Sequence, residues 1–140
     1  MKTISNITHH KVEFYDVDSM NVMWHGNYVR FIEAARCSLL DKIGYNYMQM
    51  KEDGYVYPIV KMDFKYISPA FFGDELRITS TIINYDGLLK IAYEIYNTTT
   101  NKLCAKSSTS QAAVMIDGFQ TMFTLNSEFL AKIEVYLENS

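Results

Sequence analysis

Between Gly26 and Gly44 the apolar residues Tyr28, Phe31, Ile32, Ala35, Leu39 and Ile43 recur at three- and four-residue steps, the spacing of one face of an α-helix. On both sides of that stretch the apolar residues alternate instead, which is the period of a half-buried strand. One long amphipathic helix among alternating strands buries both patterns most simply by lying across one face of an antiparallel sheet. About 18 helical residues at 1.5 Å each span roughly 27 Å. Gly44 stands where a left-handed C-terminal cap is needed.

The alternating segments can be placed in order. Ile7 to Tyr15 reads as a first strand, with Val12 and Phe14 on one side, and Asp16 to Trp24 reads as a loop. A shorter helical piece is expected from Asn46 to Glu52, ending near Gly54. Four strands follow: Val56 to Ile67, Glu75 to Tyr85, Leu88 to Asn97 and Lys102 to Ile116. In the first of these Val60, Met62, Phe64 and Tyr66 alternate with Lys61, Asp63 and Lys65. Asp86-Gly87 is a hairpin turn signal. The last strand is rich in small residues (Ala105, Ser107, Ser108, Ser110, Ala112, Ala113), which let a helix approach the sheet closely. Ser127 to Leu137 reads as a closing helix capped by Asn126 or Ser127. The expectation is an α+β fold in one domain spanning residues 1–140. A long central helix is wrapped by a curved antiparallel sheet of about five strands, with a short C-terminal helix. Apolar residues on the second strand faces, Ile59, Ile83, Tyr85 and Tyr96, point to cover by another subunit.

Charge and composition narrow the function. The formal net charge of −3 argues against a nucleic-acid partner, which asks for a basic face. No apolar run approaches the roughly 18 residues of a membrane span, and the polar start of the chain lacks a signal-type segment, so a cytoplasmic protein with no membrane partner is expected. Cys37 and Cys104 have no metal-like spacing and read as small buried hydrophobes in a reducing compartment. His9 and His10 are neighbours on a strand, so they point to opposite faces and cannot share a metal. No metal or cofactor is expected. The 11 tyrosines and 8 methionines supply adaptable apolar walls, for a ligand tunnel, a core or a subunit interface.

The stretch from Val12 to Arg36 carries the site signal. Asp16 and Asp18 end a strand, and His25, Gly26 and Asn27 open the long helix. A helix start offers unpaired N–H groups and a partial positive charge, which favour an oxyanion forming on a carbonyl oxygen. A carboxylate facing that point can attack the carbonyl or activate a water. Gly26 would let a substrate come close to the backbone. Each residue also has a plainer role: the aspartates as turn or capping residues, His25 as a packing residue, Asn27 as a cap, Trp24 as wall or core.

Asp16-Val17-Asp18, His25-Gly26-Asn27-Tyr28, Phe31 and Glu33-Ala34-Ala35-Arg36 together resemble the signature of hotdog acyl-CoA thioesterases of the 4-hydroxybenzoyl-CoA thioesterase type. Pro58-Ile59-Val60, Tyr66-Ile67-Ser68-Pro69-Ala70 and Gly73-Asp74 extend the likeness, which covers about Ile7 to Asp117. The resemblance implies that Asp18 is nucleophile or general base. It implies that the N–H at His25 polarises the thioester carbonyl, with the His25 side chain beside it. Trp24, Gly26, Tyr28, Val60 and Met62 become candidate substrate-binding residues. It also implies subunits that pair into a continuous sheet as homodimers or homotetramers, an active site between two subunits, and no metal. The substrate is then an acyl-CoA or an acyl-carrier-protein thioester. Some relatives hold the CoA phosphates with basic residues near the third hairpin, where this chain has only Lys90; Lys61, Lys65 and Lys106 are the other candidates. Another branch uses a carboxylate on the long helix, for which Glu33 is the candidate, against a structural pairing of Glu33 with Arg30 or Arg36. A hydroxyacyl-thioester dehydratase using His25 and Asp18, and a non-catalytic acyl-binding protein, are the alternatives.

Overall fold

The long helix is α1, Asn27–Ile43, and all six apolar positions that mark its face are buried. Its C-terminus closes as expected: Gly44 has φ 88°, and its N–H donates to the carbonyls of Leu40 and Asp41, each at 3.1 Å. The computed structural model describes residues 2–140. Beneath α1 lies a five-stranded antiparallel sheet in the order β1 (Ile4–Lys11), β4 (Glu75–Asn84), β5 (Leu89–Asn97), β6 (Lys102–Gln111) and β3 (Ile59–Tyr66). The other elements are α2 (Tyr47–Glu52), β2 (Tyr55–Val56), β7 (Val114–Met115), β8 (Gln120–Thr121) and α3 (Ser127–Glu138). A second, three-stranded sheet, β2-β7-β8, was not foreseen; Pro58 separates β2 from β3, and the last long strand stops at Gln111 rather than Ile116. No helix among the described residues is long and apolar enough to cross a membrane.

Register explains the core. Ile82, Ile78 and Leu76 of β4 stand opposite Ile91, Ile95 and Asn97 of β5, and Ile91 and Ile95 stand opposite Thr109 and Ala105 of β6. All of these face α1 and are buried. The small residues of β6 divide by parity: Ala105 and Ser107 lie under the helix, whereas Ser108 and Ser110 belong to the opposite face. On β1, Asn6 donates to Ser38 of α1 at 2.9 Å. His10 stacks on Phe31 with centroids 5.1 Å apart and rings 19° from parallel, while His9 points outward, exposed.

The His10 stack makes a pH prediction. Burial, with His9 and Arg30 nearby, lowers the His10 pKa from its usual 6.5. A group that holds its proton less well when folded contributes stability above its unfolded pKa and loses it as pH falls through the folded value. His10→Phe keeps the stack and removes the proton. Its melting temperature is therefore expected to fall less than that of the wild type between about pH 7 and pH 5. An equal fall in thermal melts at both pH values would assign the acid sensitivity elsewhere.

Candidate active site

Asp18 sits in a tight reversal. Val17 and Met23 form an antiparallel bridge, the N–H of Asp18 donates to the Val22 carbonyl at 2.9 Å, and the N–H of Asn21 donates to the Asp18 carbonyl at 3.0 Å. Asn21 takes φ 65°, a left-handed conformation that Asn tolerates. The Asp18 side chain is exposed, and its Oδ1 accepts the N–H groups of Met20 and Val22 at 2.9 and 3.2 Å. These two bonds hold the carboxylate in one orientation. Its Oδ2 has no hydrogen-bond partner among the described residues.

Asp16 has a different environment. It is 2 % exposed, its Oδ1 pairs with the Arg30 guanidinium, and its Oδ2 accepts the Glu13 N–H at 2.9 Å. The Asp16 carbonyl accepts the Trp24 N–H at 3.1 Å and the Asn27 Nδ2 at 2.8 Å. Of the two aspartates, only Asp18 faces open space.

The start of α1 is a single tight turn. Asn27 donates its N–H to the Trp24 carbonyl at 3.0 Å and Tyr28 to the His25 carbonyl at 3.2 Å. No acceptor among the described residues meets the N–H groups of His25 and Gly26. Gly26 has helical φ and ψ, so its role is spatial: a Cβ there would overlap the Trp24 indole. Trp24, 56 % exposed, thus lies as a wall over the helix start. The exposed His25 ring lies between Trp24 and Tyr66, with centroids at 5.6 and 5.9 Å. Tyr28 is buried edge-on to Tyr66 at 5.4 Å, and burial, then Cys104 and Tyr66, push its hydroxyl well above the usual tyrosine range.

These pieces enclose an open cleft of about 610 Å³ lined by Asp18, Met23, Trp24, His25, Tyr28 and Tyr66, among others. That size suits a small-molecule site. The cleft brings together Asp18, Trp24, His25 and Tyr28, four of the expected residues, with Gly26 at the helix start behind Trp24. Val60 and Met62 lie farther along β3, outside the lining. A bulge between Ile59 and Lys61 breaks the alternation, so Val60 is 57 % exposed while Ile59, Met62 and Phe64 share the inner, half-buried face. Tyr66 was not expected as a site residue. The signal for it was the Tyr-Ile-Ser-Pro stretch at the end of β3, which turns beside the helix start.

Three other expectations change. Cys37 is exposed on α1, and only Cys104 is buried. Glu33 is exposed and pairs with neither arginine: Arg30 pairs with Asp16, and Arg36 donates from Nε to the Tyr47 hydroxyl at 2.6 Å. Arg36 itself is buried. Phe14, placed with Val12 at the sequence level, is 76 % exposed because the chain turns into a short 3₁₀ helix, Phe14–Asp16. Lys61, Lys65 and Lys106 are exposed, with Lys65 directly opposite Lys106 across β3 and β6.

A family model described as the thioesterase-like superfamily matches residues 12–133 of this chain. Among curated proteins, the chain is 27 % identical over 111 residues to the Bacillus subtilis (strain 168) protein named "Putative acyl-CoA thioesterase YneP", an alignment covering 79 % of this chain and 80 % of that one. Among solved structures, a DHNA-CoA thioesterase from Staphylococcus aureus superposes with a TM-score of 0.83 at 26 % identity, covering 96 % of this chain and 90 % of that chain. A 4-hydroxybenzoyl CoA thioesterase from Pseudomonas sp. strain CBS-3 shares the fold with a TM-score of 0.80 at 23 % identity, covering 91 % of this chain and 98 % of that one.

Proposed function

Because this chain belongs to the thioesterase-like superfamily, as a hotdog-fold acyl-CoA thioesterase, we propose that it hydrolyses its acyl-CoA substrate with Asp18 as the reacting carboxylate and the start of α1 as the oxyanion site. The observation that carries this is the shared cleft: an exposed carboxylate, with one oxygen engaged by backbone N–H groups and the other unengaged, borders the same space as His25, at a helix start where the N–H groups of His25 and Gly26 are unpaired.

The chemistry balances without a further group. Asp18 attacks the thioester carbonyl carbon or takes a proton from a water that does so. The carbonyl oxygen gains negative charge beside the N–H groups at His25 and Gly26. Collapse of the tetrahedral intermediate breaks the C–S bond and releases the thiol; in the nucleophilic route, water then cleaves the Asp18 anhydride. The products are a carboxylic acid and a free thiol. The His25 ring orients substrate or water from the rim, and Trp24 and Tyr28 form walls.

The free edge of β3 carries exposed Val60 and Tyr66, which supports pairing of two subunits edge to edge, as a homodimer or a homotetramer. In that arrangement Met62, on the inner face of β3, turns toward the acyl group, and Val60, on the outer face, lies at the subunit seam. We place the enzyme in the cytoplasm as one domain; two free thiols suit a reducing compartment. Acyl-CoA is preferred over acyl-carrier protein as thiol donor. The test is thiol release, read with a thiol-reactive dye, from a panel of acyl-CoAs and from the same acyl groups on a carrier protein. Higher kcat/KM on the CoA thioesters is expected. Turnover only of the carrier-protein thioesters would reverse the choice of donor, and no release from either would remove the reading.

A further inference from the structure

A carboxylate on one loop and N–H groups on a separate helix can act together only if something fixes the distance between them. Neither Asp18 nor its own hydrogen bonds reach α1, since the partners of its carboxylate and backbone lie between Met20 and Val22. The link runs through Asp16, two residues earlier. Its carboxylate pairs with Arg30 in the first turn of α1, and its carbonyl holds both the Trp24 N–H and the Asn27 side chain, which flank His25 and Gly26. Its second carboxylate oxygen closes the 3₁₀ turn through the Glu13 N–H.

We propose that the Asp16–Arg30 ion pair is the positioning element of the active site, fixing the Asp18 loop against the oxyanion N–H groups at the start of α1 without touching substrate. The inference rests on the reading of Asp18 as the reacting carboxylate. Two observations and one physical reason support it. Asp16 is 2 % exposed and absent from the cleft lining, so it is not a second acid at the site. Arg30 is also absent from that lining, although its side chain is 54 % exposed. And a buried carboxylate that loses its cation is left with an unpaired charge, so the pair holds its geometry strongly even though one end is wet.

A pair that only positions has a distinct kinetic signature. Misplacing a reacting group by about 1 Å can cost on the order of 10²-fold in rate. Uniform substrate binding is left alone, so the loss falls on kcat rather than KM. Thiol release from acyl-CoA is to be measured for the wild type, Asp16→Asn, Arg30→Gln, Arg30→Lys and Asp18→Asn, with a thermal melt of each. Asp16→Asn and Arg30→Gln are expected to lower kcat about 10²-fold with KM within about threefold. Arg30→Lys, which keeps the charge, is expected to recover most of kcat. Unchanged kcat in both Asp16→Asn and Arg30→Gln, beside an inactive Asp18→Asn, would overturn the positioning role alone. A rise in KM at constant kcat would overturn it too, by making the pair a substrate contact. If neither Asp16→Asn nor Arg30→Gln folds, the pair is a folding element and the inference is likewise overturned. Full activity in Asp18→Asn would overturn the reading of the site, and this inference with it.

Discussion

Asp18→Asn is expected to lower kcat for acyl-CoA hydrolysis by about 10³-fold, within the range that loss of a general base produces, and to leave KM within about threefold. The substitution is well isolated. The amide oxygen of Asn can still accept the Met20 and Val22 N–H groups that now bind Oδ1, so the reversal from Val17 to Met23 keeps its hydrogen bonds. The side chain is exposed, so no core packing is lost. What goes is the negative charge and, with it, both the nucleophile and the base. Residual turnover would come from the N–H groups at His25 and Gly26 and from binding alone. Wild-type kcat in this variant, with an unchanged melting curve, would move the chemistry to another group; Glu33 and the His25 ring would be next.

The parts of this arrangement that could be read in advance are those set by local chemistry. The face of α1 follows from side-chain period alone, and its end follows from one glycine in the left-handed region. The Asp18 loop was legible as a motif because a carboxylate, a turn and a helix start fall within a short span. The features that were missed depend on partners remote in sequence. The bulge at Val60 exists because β3 must stay in register with β6, a relation that no alternation within β3 contains. Asp16 read as a turn or capping residue, since its partner Arg30 stands on the far side of the loop. Arg36 was a possible partner of Glu33, because only the fold brings the Tyr47 hydroxyl to its guanidinium. Cys37 is the exception that local reasoning could have reached: it lies one turn beyond Glu33, on the face of α1 that carries charge rather than apolar groups.

The largest stability effect is expected in α3, from Phe129→Ala. Phe129 is fully buried in the first turns of α3, with the Tyr45 and Tyr57 rings at 5.0 and 5.5 Å. Beside it the Tyr57 hydroxyl donates to Asn126 Oδ1 at 2.6 Å, Asn126 Nδ2 donates to the Tyr45 hydroxyl at 2.9 Å, and that hydroxyl donates to Asp53 Oδ2 at 2.6 Å. Burial pushes the Tyr57 hydroxyl up to about 12, so it stays a donor across the working range. Phe129 is the apolar centre of a joint that ties α3 to the segments after α1 and β2. Removing its ring leaves a cavity between two aromatic walls that are held by their hydroxyls and cannot collapse inward. The cost is expected at about 3–5 kcal/mol, which for a chain of this length lowers the melting temperature by roughly 10 °C or more. No residue of α3 lines the cleft, so kcat/KM measured well below the transition should stay within about twofold. A melting temperature unchanged by Phe129→Ala would mean that α3 contributes little to the core, while an intact fold with lost turnover would couple α3 to the Asp18 site through contacts the structure does not contain.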